Sequence, residues 1–367
     1  MFTSDQQPFP VDGEGLHKLY DPKQFAKAVA DVIQVMQANR VEPLKAMVLA
    51  LEQRGPYRLL PPLLTRPWTD LSDLLEGNYP HFAEVIESVK QAWHLAVHSQ
   101  SAFSMPPLLL LGEPGIGKTH FTAQLAKCMN LQYLMRSMAT LSAGFVLSGM
   151  DARWEDARPG MIFTQLMHGD TANPLVVLDE IDKAAGDLYH DPLGPLYGLL
   201  ESETARAFTD EYLPVPLDAG RINWIATANR MEDIPEPIVS RLRVIEVPKP
   251  DYPARVRIAY RLYAAILKER LWGKVFSRNL PQDVAERLAE TGDTPRAMRL
   301  ALEEACGRAS IRVCALTRER VFGVCLRPAD LDLGRPSASR GFGFMPQPHQ
   351  KTPASTGGAP AGPRPHR

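Results

Sequence analysis

The chain has few cysteines, no long apolar run and almost no net charge, and each of these absences excludes a class of protein. Its 367 residues include 4 cysteines and no C-x-x-C pair. This usage argues against a disulfide scaffold or a metal cluster and predicts buried free thiols in a reducing cytoplasm. No apolar stretch approaches the roughly 20 residues of a membrane span, and the N-terminus lacks a signal-peptide pattern. A formal net charge of -1 offers no broad basic field for nucleic acid.

What the sequence does contain is a glycine-rich loop directly after an apolar strand. The strand is predicted over 108–111, and the loop with the residue after it reads Gly112-Glu113-Pro114-Gly115-Ile116-Gly117-Lys118-Thr119-His120. The spacing G-x-x-x-x-G-K-T suits a polyphosphate, because the glycines let backbone N–H groups converge on phosphate oxygens. Lys118 would reach the β- and γ-phosphates, and Thr119 would bind Mg²⁺. An apolar helical pattern follows, so the sequence predicts an ATP and Mg²⁺ site at a helix N-terminus.

A second apolar run, 174–178, has the composition of a central parallel strand and ends in Asp179 and Glu180. Charges at the carboxyl end of such a strand face the ligand crevice. Asp179 is therefore expected to hold the Mg²⁺ shell, and Glu180 to orient or deprotonate the attacking water. The alternative is a solvated strand end.

A third strand is predicted over 222–227, followed by Ala228 and Asn229. A neutral amide at this point can hydrogen-bond the γ-phosphate or the attacking water without competing for the metal. An asparagine after a strand is often only a turn former. The order of the three strands favours the phosphate-sensing interpretation of Asn229.

These motifs together resemble the AAA+ ATPases and, among them, the ATPase module of Lon-type proteases. The similarity covers about 69–333 and is carried by 177–183 (VLDEIDK), 228–229 (AN) and 234–245 (IPEPIVSRLRVI). The segment 292–296 (GDTPR) lies where the sensor 2 motif belongs, and its sequence is closer to that motif in MoxR-type ATPases than in Lon. The resemblance implies an α/β P-loop AAA+ domain with a parallel sheet, a small all-helical lid, a helical N-terminal extension and a disordered C-terminal tail.

The resemblance also implies roles for two arginines. Arg241 matches the arginine finger that acts on a neighbour's γ-phosphate, which implies a homo-oligomeric ring, hexameric in this family. Arg296 matches sensor 2, and the alternative for it is a surface charge on the helix that follows Pro295. From the residues alone, Arg241 and Arg243 are both candidates to neutralise phosphate charge, because both guanidinium groups stay charged; the alternative is an ordinary solvated arginine pair. With the resemblance, Arg243 is left as a strand-edge charge.

Between the two ATP motifs, 154–162 (WEDARPGMI) resembles the Lon pore-loop segment, in which an aromatic residue precedes an Ala-x-Pro-Gly run. Trp154 then matches the aromatic residue that grips an unfolded protein client in the ring's channel. A large flat side chain can contact many sequences through apolar area alone. Asp156 departs from the small residue expected there. A buried anchor is the alternative role for Trp154.

The chain divides into four predicted parts. Residues 1–66 form a helical extension with a proline-rich linker, 67–249 the nucleotide-binding domain, 250–333 the lid and 334–367 the disordered basic tail. The extension is expected to contain two helices with the apolar stripes Phe25, Val29, Val32, Ile33, Met36 and Leu44, Met47, Val48, Leu51. It is either a structural extension or a client- or adaptor-binding element. Tyr79 is expected either to stack on adenine or to pack in the core.

The most favoured function is a Lon-like ATP-hydrolysing motor that remodels or unfolds protein clients in the cytoplasm. The chain becomes low in complexity where Lon proteases begin their peptidase domain, so no intrinsic peptidase activity is expected, and a protease or adaptor could act in trans. The alternative is a nucleic-acid-linked ATPase, such as a transposition or phage-defence helper that uses the basic tail. Membrane association is not expected.

Overall fold

The computed structural model describes residues 15–60, 68, 75–141, 143–184, 191–314 and 322–331, all within one compact unit of the chain. The proline-rich linker predicted at 61–67 and the tail predicted at 334–367 lie outside the described residues. Within the described ranges, no helix combines the length and the apolar character needed to cross a bilayer.

The N-terminal segment contains the two predicted helices enclosed by two short strands. The elements are β1 (Leu16–Lys18), α1 (Pro22–Val35), α2 (Ala38–Arg54) and β2 (Tyr57–Leu59). Helix α1 begins as predicted, because the Asp21 carboxylate accepts the backbone N–H of Lys23 at 2.8 Å and of Gln24 at 3.2 Å. The antiparallel pairing of β1 with β2 was not predicted. Three residues are too few to display the alternation that identifies a strand in a sequence.

A five-stranded parallel sheet forms the centre of the fold. The strands in spatial order are β4 (Tyr133–Ser137), β5 (Leu175–Asp179), β8 (Asn223–Ala228), β3 (Leu108–Leu111) and β9 (Arg243–Glu246). A separate antiparallel pair consists of β6 (Phe208–Thr209) and β7 (Pro216–Leu217). The three predicted strands, β3, β5 and β8, are the three interior ones. Their carboxyl ends therefore meet at one edge of the sheet.

Helices cover both faces of the sheet, which is why its three interior strands are mostly apolar and buried. The helices are α3 (Ala83–His98), α4 (Lys118–Met129), α5 (Phe145–Ser148), α6 (Met161–His168), α7 (Leu196–Leu199), α8 (Ser202–Ala205) and α9 (Glu236–Val239). Alternate strand residues enter different layers: Leu109 belongs to the same hydrophobic cluster as Phe163 of α6, whereas Leu108 and Leu110 belong to the cluster that contains Phe121 of α4.

The N-terminal segment shares one hydrophobic cluster with the α6 side of the sheet. Backbone hydrogen bonds join β2 to the segment after α6: the Leu59 N–H donates to the Asp170 carbonyl at 2.9 Å, and the Ala172 N–H donates to the Leu59 carbonyl at 2.8 Å. Arg58 is 3% exposed and donates to the carbonyls of Leu166 at 2.9 Å and Met167 at 2.5 Å. Its guanidinium therefore satisfies carbonyls at the C-terminal end of α6.

The predicted lid consists of helices that pack on one another. They are α10 (Tyr252–Glu269), α11 (Gln282–Thr291) and α12 (Pro295–Cys314), and α10 contacts both of the others. Tyr263 of α10 is buried, and its hydroxyl group donates a hydrogen bond to the Ser277 carbonyl at 2.8 Å. Val324 forms a single β-bridge with Phe276.

All four cysteines are free thiols, but the prediction that they are buried is wrong for two of them. Cys306 is buried and Cys128 is half-buried, whereas Cys314 and Cys325 are exposed. Cys314 is the last residue of α12, where the helix leaves the core, and Cys325 lies in the short segment after it.

Candidate functional site

The glycine-rich loop connects the buried strand β3 to the first turn of α4, as the spacing predicts. Gly117 has a φ of 102° and precedes Lys118, the first residue of α4. A side chain at this φ would be strained, so glycine is required for the backbone to turn into the helix. The loop thus presents the first N–H groups of a 12-residue helix, which together with the helix dipole favour an anion.

Lys118 connects the loop to the end of β8. Its ammonium donates to the carbonyls of Gly112 at 2.6 Å and Glu113 at 3.1 Å, and to the Asn229 side-chain oxygen at 2.9 Å. Burial lowers the pKa of Lys118, and the nearby carboxylates of Asp182 and Asp179 oppose that shift. Two predicted phosphate-binding groups, 111 residues apart in the sequence, are therefore in direct contact.

The oxygens predicted to surround Mg²⁺ lie together at the same edge of the sheet. The Thr119 hydroxyl donates to Asp179 Oδ1 at 2.8 Å. The same carboxylate oxygen accepts the Thr227 hydroxyl at 2.7 Å, and that hydroxyl accepts the Glu180 N–H at 3.0 Å. One hydroxyl and one carboxylate fit Mg²⁺, which is usually held in ATPases by one or two protein oxygens together with phosphates. Thr227 was missed in the sequence, where it is only a strand residue.

Glu180 and Asn229 are held at this edge by their backbones. Glu180 has a φ of 56°, in the left-handed region, and its side chain is exposed at the cavity described next. The Asn229 N–H donates to Asp182 Oδ2 at 3.2 Å, and that oxygen also contacts the Lys183 ammonium at 3.0 Å. The buried Asp182 carboxylate thereby fixes the backbone of the predicted phosphate sensor.

A cavity of about 400 Å³ lies between the glycine-rich loop and the lid. The lid contributes Arg261 and Glu269 from α10 and Arg296 and Arg299 from α12. The backbone N–H of Arg296 donates to the Gly115 carbonyl at 3.3 Å, so the start of α12 contacts the glycine-rich loop. The cavity is rich in cationic side chains, which suits a polyphosphate. Arg261 and Arg299 were missed, because arginines on an amphipathic helix normally face solvent.

Tyr79 lines this cavity but is 3% exposed. Its ring makes edge contacts with Phe82 and Phe121, and the Arg261 guanidinium lies 4.4 Å from the ring centroid. Its hydroxyl hydrogen-bonds His120 Nδ1, and burial raises its pKa to about 12. These contacts favour the core-packing role over stacking on adenine.

Arg241 lies away from the cavity of its own chain and is not among the side chains that line it. It pairs with Glu201 at 2.7 Å and donates to the Tyr197 carbonyl at 3.1 Å. Arg243 is the first residue of the edge strand β9 and donates to the Ser88 hydroxyl at 3.3 Å, as expected of a strand-edge charge. The structure therefore does not bring Arg241 to the cavity at the glycine-rich loop of the same chain.

Trp154 lies in a loop between α5 and α6 and is 67% exposed, so the buried-anchor alternative is wrong. The loop turns at this residue: the Trp154 N–H donates to the Asp151 carbonyl at 3.0 Å, and the Ala157 N–H donates to the Trp154 carbonyl at 3.3 Å. Trp154 also lines a separate cavity of about 780 Å³. The tryptophan is thus available for contact with another molecule.

Comparison with known proteins assigns the central domain to a family. Residues 108–249 match the profile of the ATPase family associated with various cellular activities (AAA). Lon protease 2 of Herpetosiphon aurantiacus is 30% identical over 241 residues, covering 59% of this chain and 30% of the relative. The peroxisomal Lon protease homolog 2 of Zea mays is 34% identical over 156 residues, covering 42% of this chain and 18% of the relative. The chain thus spans less than a third of the length of these relatives.

Among solved structures, a closed-state cryo-EM reconstruction of Hsp104 with ATPγS and FITC-casein matches with a TM-score of 0.55 and 17% identity. The match covers 68% of this chain and 49% of that chain and supports the fold alone. The family match, the Lon-like sequence and the fold agree with the geometry of the glycine-rich loop. Residues 108–249 are therefore an AAA ATPase domain, and this domain is related to the ATPase region of Lon proteases.

Proposed function

We propose that this ATPase uses ATP hydrolysis to remodel or unfold protein clients as a homo-oligomeric ring. The observation that carries the proposal is the exposed Trp154 in a chain whose relatives are Lon proteases. Its four free thiols suit a reducing compartment, so we propose a cytoplasmic location. An adaptor or a separate protease could receive the remodelled client.

In the proposed reaction, water attacks the γ-phosphate in line with the leaving group. Bound Mg²⁺ would neutralise charge on the phosphate oxygens. Thr119 and Asp179 are the residues that would hold it, and their 2.8 Å contact supports this assignment. Lys118 would neutralise the β- and γ-phosphates, and its contact with Asn229 supports a shared γ-phosphate site. Glu180, exposed at the cavity, would activate the water.

The lid and a neighbouring subunit would complete the site. Arg296 would sense the γ-phosphate from the lid, which we propose to comprise residues 250–333. Arg241 would act on the ATP of the next subunit, because it lines no part of its own cavity. A ring is the closed arrangement in which the Arg241 of every subunit can contact the ATP site of a neighbouring subunit. We propose a hexamer, as the resemblance to Lon implies.

The client step is proposed to use Trp154 as the gripping residue. An exposed indole offers apolar contact area that does not depend on a particular client sequence. The adjacent cavity of about 780 Å³ adds apolar groups of Met150 and Phe208 to the same surface. Movement of the loop during the ATP cycle would then pull on the bound segment.

The test compares Trp154→Ala with Trp272→Ala, since Trp272 is a partly exposed tryptophan on the lid side of the molecule. ATPase activity is measured alone, with casein as an unfolded protein, and with duplex or single-stranded DNA. We expect Trp154→Ala to keep basal turnover and lose the casein stimulation, while Trp272→Ala keeps both. Stimulation by DNA but not by casein in the unaltered protein would overturn the proposal in favour of a nucleic-acid-linked ATPase.

A further inference from the structure

Asp210 is a fully buried carboxylate that the ATPase chemistry does not use. It follows β6, its exposed fraction is 0%, and no ion pair involves it within the described part of the chain. A carboxylate removed from water without a cation is costly, so its environment must compensate it by other contacts. Those contacts identify what the residue does.

Backbone N–H groups provide the compensation, and they come from two different segments. Asp210 Oδ2 accepts the Gly160 N–H at 2.9 Å, and Oδ1 accepts the Tyr212 N–H at 2.9 Å. Gly160 is the N-cap of α6 and ends the loop that carries Trp154. Tyr212 belongs to the connection between β6 and β7. One side chain thus joins the end of the 149–160 loop, here the Trp154 loop, to the connection between β6 and β7.

The start of the Trp154 loop contacts the same carboxylate. A Cβ built at Gly149 would lie 2.3 Å from Asp210 Oδ1, and one at Gly160 would lie 2.7 Å from Oδ2. Neither position has room for a side chain while Asp210 is in place. Both ends of the loop are therefore packed directly on Asp210.

Backbone hydrogen bonds reinforce the same junction. The Glu211 N–H donates to the Ser148 carbonyl at 2.7 Å, next to the start of the loop. Across the base of the loop, the Met150 N–H donates to the Arg158 carbonyl at 3.1 Å. Trp154 lies beyond this closed base and is 67% exposed.

We propose that Asp210 is a positioning residue that fixes both ends of the Trp154 loop to the β6–β7 connection, so that the two segments move together. This inference extends the proposed function, since its consequence for clients requires that Trp154 contact them. The contacts that define the junction do not depend on that role.

Charge balance makes the junction sensitive to pH near neutrality. Burial raises the pKa of Asp210 to about 7, the N–H groups of Gly160, Tyr212 and Leu213 oppose this shift, and the like-charged Glu211 adds to it. The Asp210 carboxyl binds its proton more tightly in the closed junction than in water, so protonation removes the cost of the buried charge and stabilises the junction. The loop base should therefore tighten as the pH falls through about 7 and loosen as the pH rises above that value.

Hydrogen exchange of the protein without client or nucleotide tests the proposal. We expect Asp210→Asn, which keeps the volume but not the charge, to accelerate exchange of amides in 149–160 and 210–213 about tenfold. Exchange in β3, β5 and β8 should stay unchanged. The matched control is Glu211→Gln, which removes the adjacent, exposed carboxylate and should leave the loop amides as they are. Unchanged loop exchange in Asp210→Asn, or equal acceleration throughout the sheet, would overturn the assignment.

A second measurement on the unaltered protein keeps the proposal testable if Asp210→Asn does not fold. After correction for intrinsic exchange, the loop amides should lose protection as the pH rises through about 7, and the sheet amides should not. A flat profile would overturn the assignment. If Trp154→Ala fails to affect casein stimulation while these exchange results hold, the client function is wrong and the positioning role stands.

Discussion

The cavity between the glycine-rich loop and the lid, here the candidate nucleotide cavity, differs from the Trp154 loop in the number of chain segments that form it and in the groups that those segments present. The cavity gathers charged and polar side chains from the glycine-rich loop, two strand ends and two lid helices. The loop presents one exposed indole on a base closed by backbone hydrogen bonds and Asp210. Phosphate transfer needs fixed charges at fixed distances. The proposed contact with an arbitrary polypeptide would need only apolar area. That function would therefore specify far fewer residues than phosphate transfer does.

The largest expected effect comes from a substitution that tests whether a residue of one subunit acts on the ATP of the neighbouring subunit. We expect Arg241→Ala to reduce ATP turnover by about 10³-fold, because an arginine finger stabilises transition-state charge. Nucleotide binding should be nearly unchanged, since Arg241 does not line the cavity of its own chain. Steady-state ATPase assays and binding of a fluorescent nucleotide measure the two quantities.

Arg243→Ala is the control for that variant, because Arg243 lies on the edge strand two residues away. It should retain turnover. If Arg241→Ala hydrolyses ATP normally, or if it loses nucleotide binding, the assignment of Arg241 as a finger acting across subunits fails.

A stability measurement tests how the Trp154 loop is anchored beyond its own base. Helix α6 begins where the loop ends, and Arg58 binds the carbonyls at the other end of α6. We expect Arg58→Lys to lower the free energy of unfolding by about 2 kcal/mol, because a single ammonium cannot replace a buried guanidinium fork. Basal ATPase should persist.

Denaturant unfolding measures this change, and Arg54→Lys is the matched control. Arg54 pairs with Asp170 at 2.7 Å, but both side chains are substantially exposed. Its replacement should cost less than about 1 kcal/mol. Equal losses for the two variants would mean that burial does not distinguish these arginines.

Within the candidate nucleotide cavity, substitution of Thr227 tests whether this strand residue positions the Asp179 carboxylate, which is proposed to bind Mg²⁺. We expect Thr227→Val to weaken Mg²⁺-dependent nucleotide binding about tenfold, since Asp179 loses the donor at 2.7 Å. Binding without Mg²⁺ should not change. Titration of Mg²⁺ against a fluorescent nucleotide provides the measurement, and Thr227→Ser, which keeps the hydroxyl, should restore affinity. Failure of serine to restore it would argue for a packing role instead.

The smallest expected effect concerns the lid face of the cavity. Arg299 lines the cavity and is held by Glu269 at 2.5 Å, in a pair that is partly open to solvent. We expect Glu269→Gln to change the KM for ATP by only about twofold, because exposed ion pairs contribute little. A change of tenfold or more would show that the lid cations are positioned as tightly as the glycine-rich loop.

The gathering of the candidate site residues at one edge of the sheet could be predicted, because each of the motifs that contain them is local. Lys118, Asp179, Glu180 and Asn229 each follow a recognisable strand, and parallel strands bring their carboxyl ends to one edge. Thr227, Arg261 and Arg299 could not be assigned, since their residue types are ordinary for a strand or a helix surface. Their roles depend on partners that are distant in the sequence.

Local patterns in the chain predicted the parallel sheet, the glycine-rich loop and the polar residues at the strand ends, because apolar periodicity and turn chemistry can be read over a few residues. The exposure of Trp154, the pairing of Arg241 with Glu201 outside the cavity of its own chain, and the burial of Arg58 and Asp210 became visible only in the folded chain. Burial and hydrogen-bond partners are properties of the assembled chain, in which groups more than 100 residues apart, such as Arg58 and Leu166, come into contact. A lone arginine or aspartate carries no local signal of the partner it will meet.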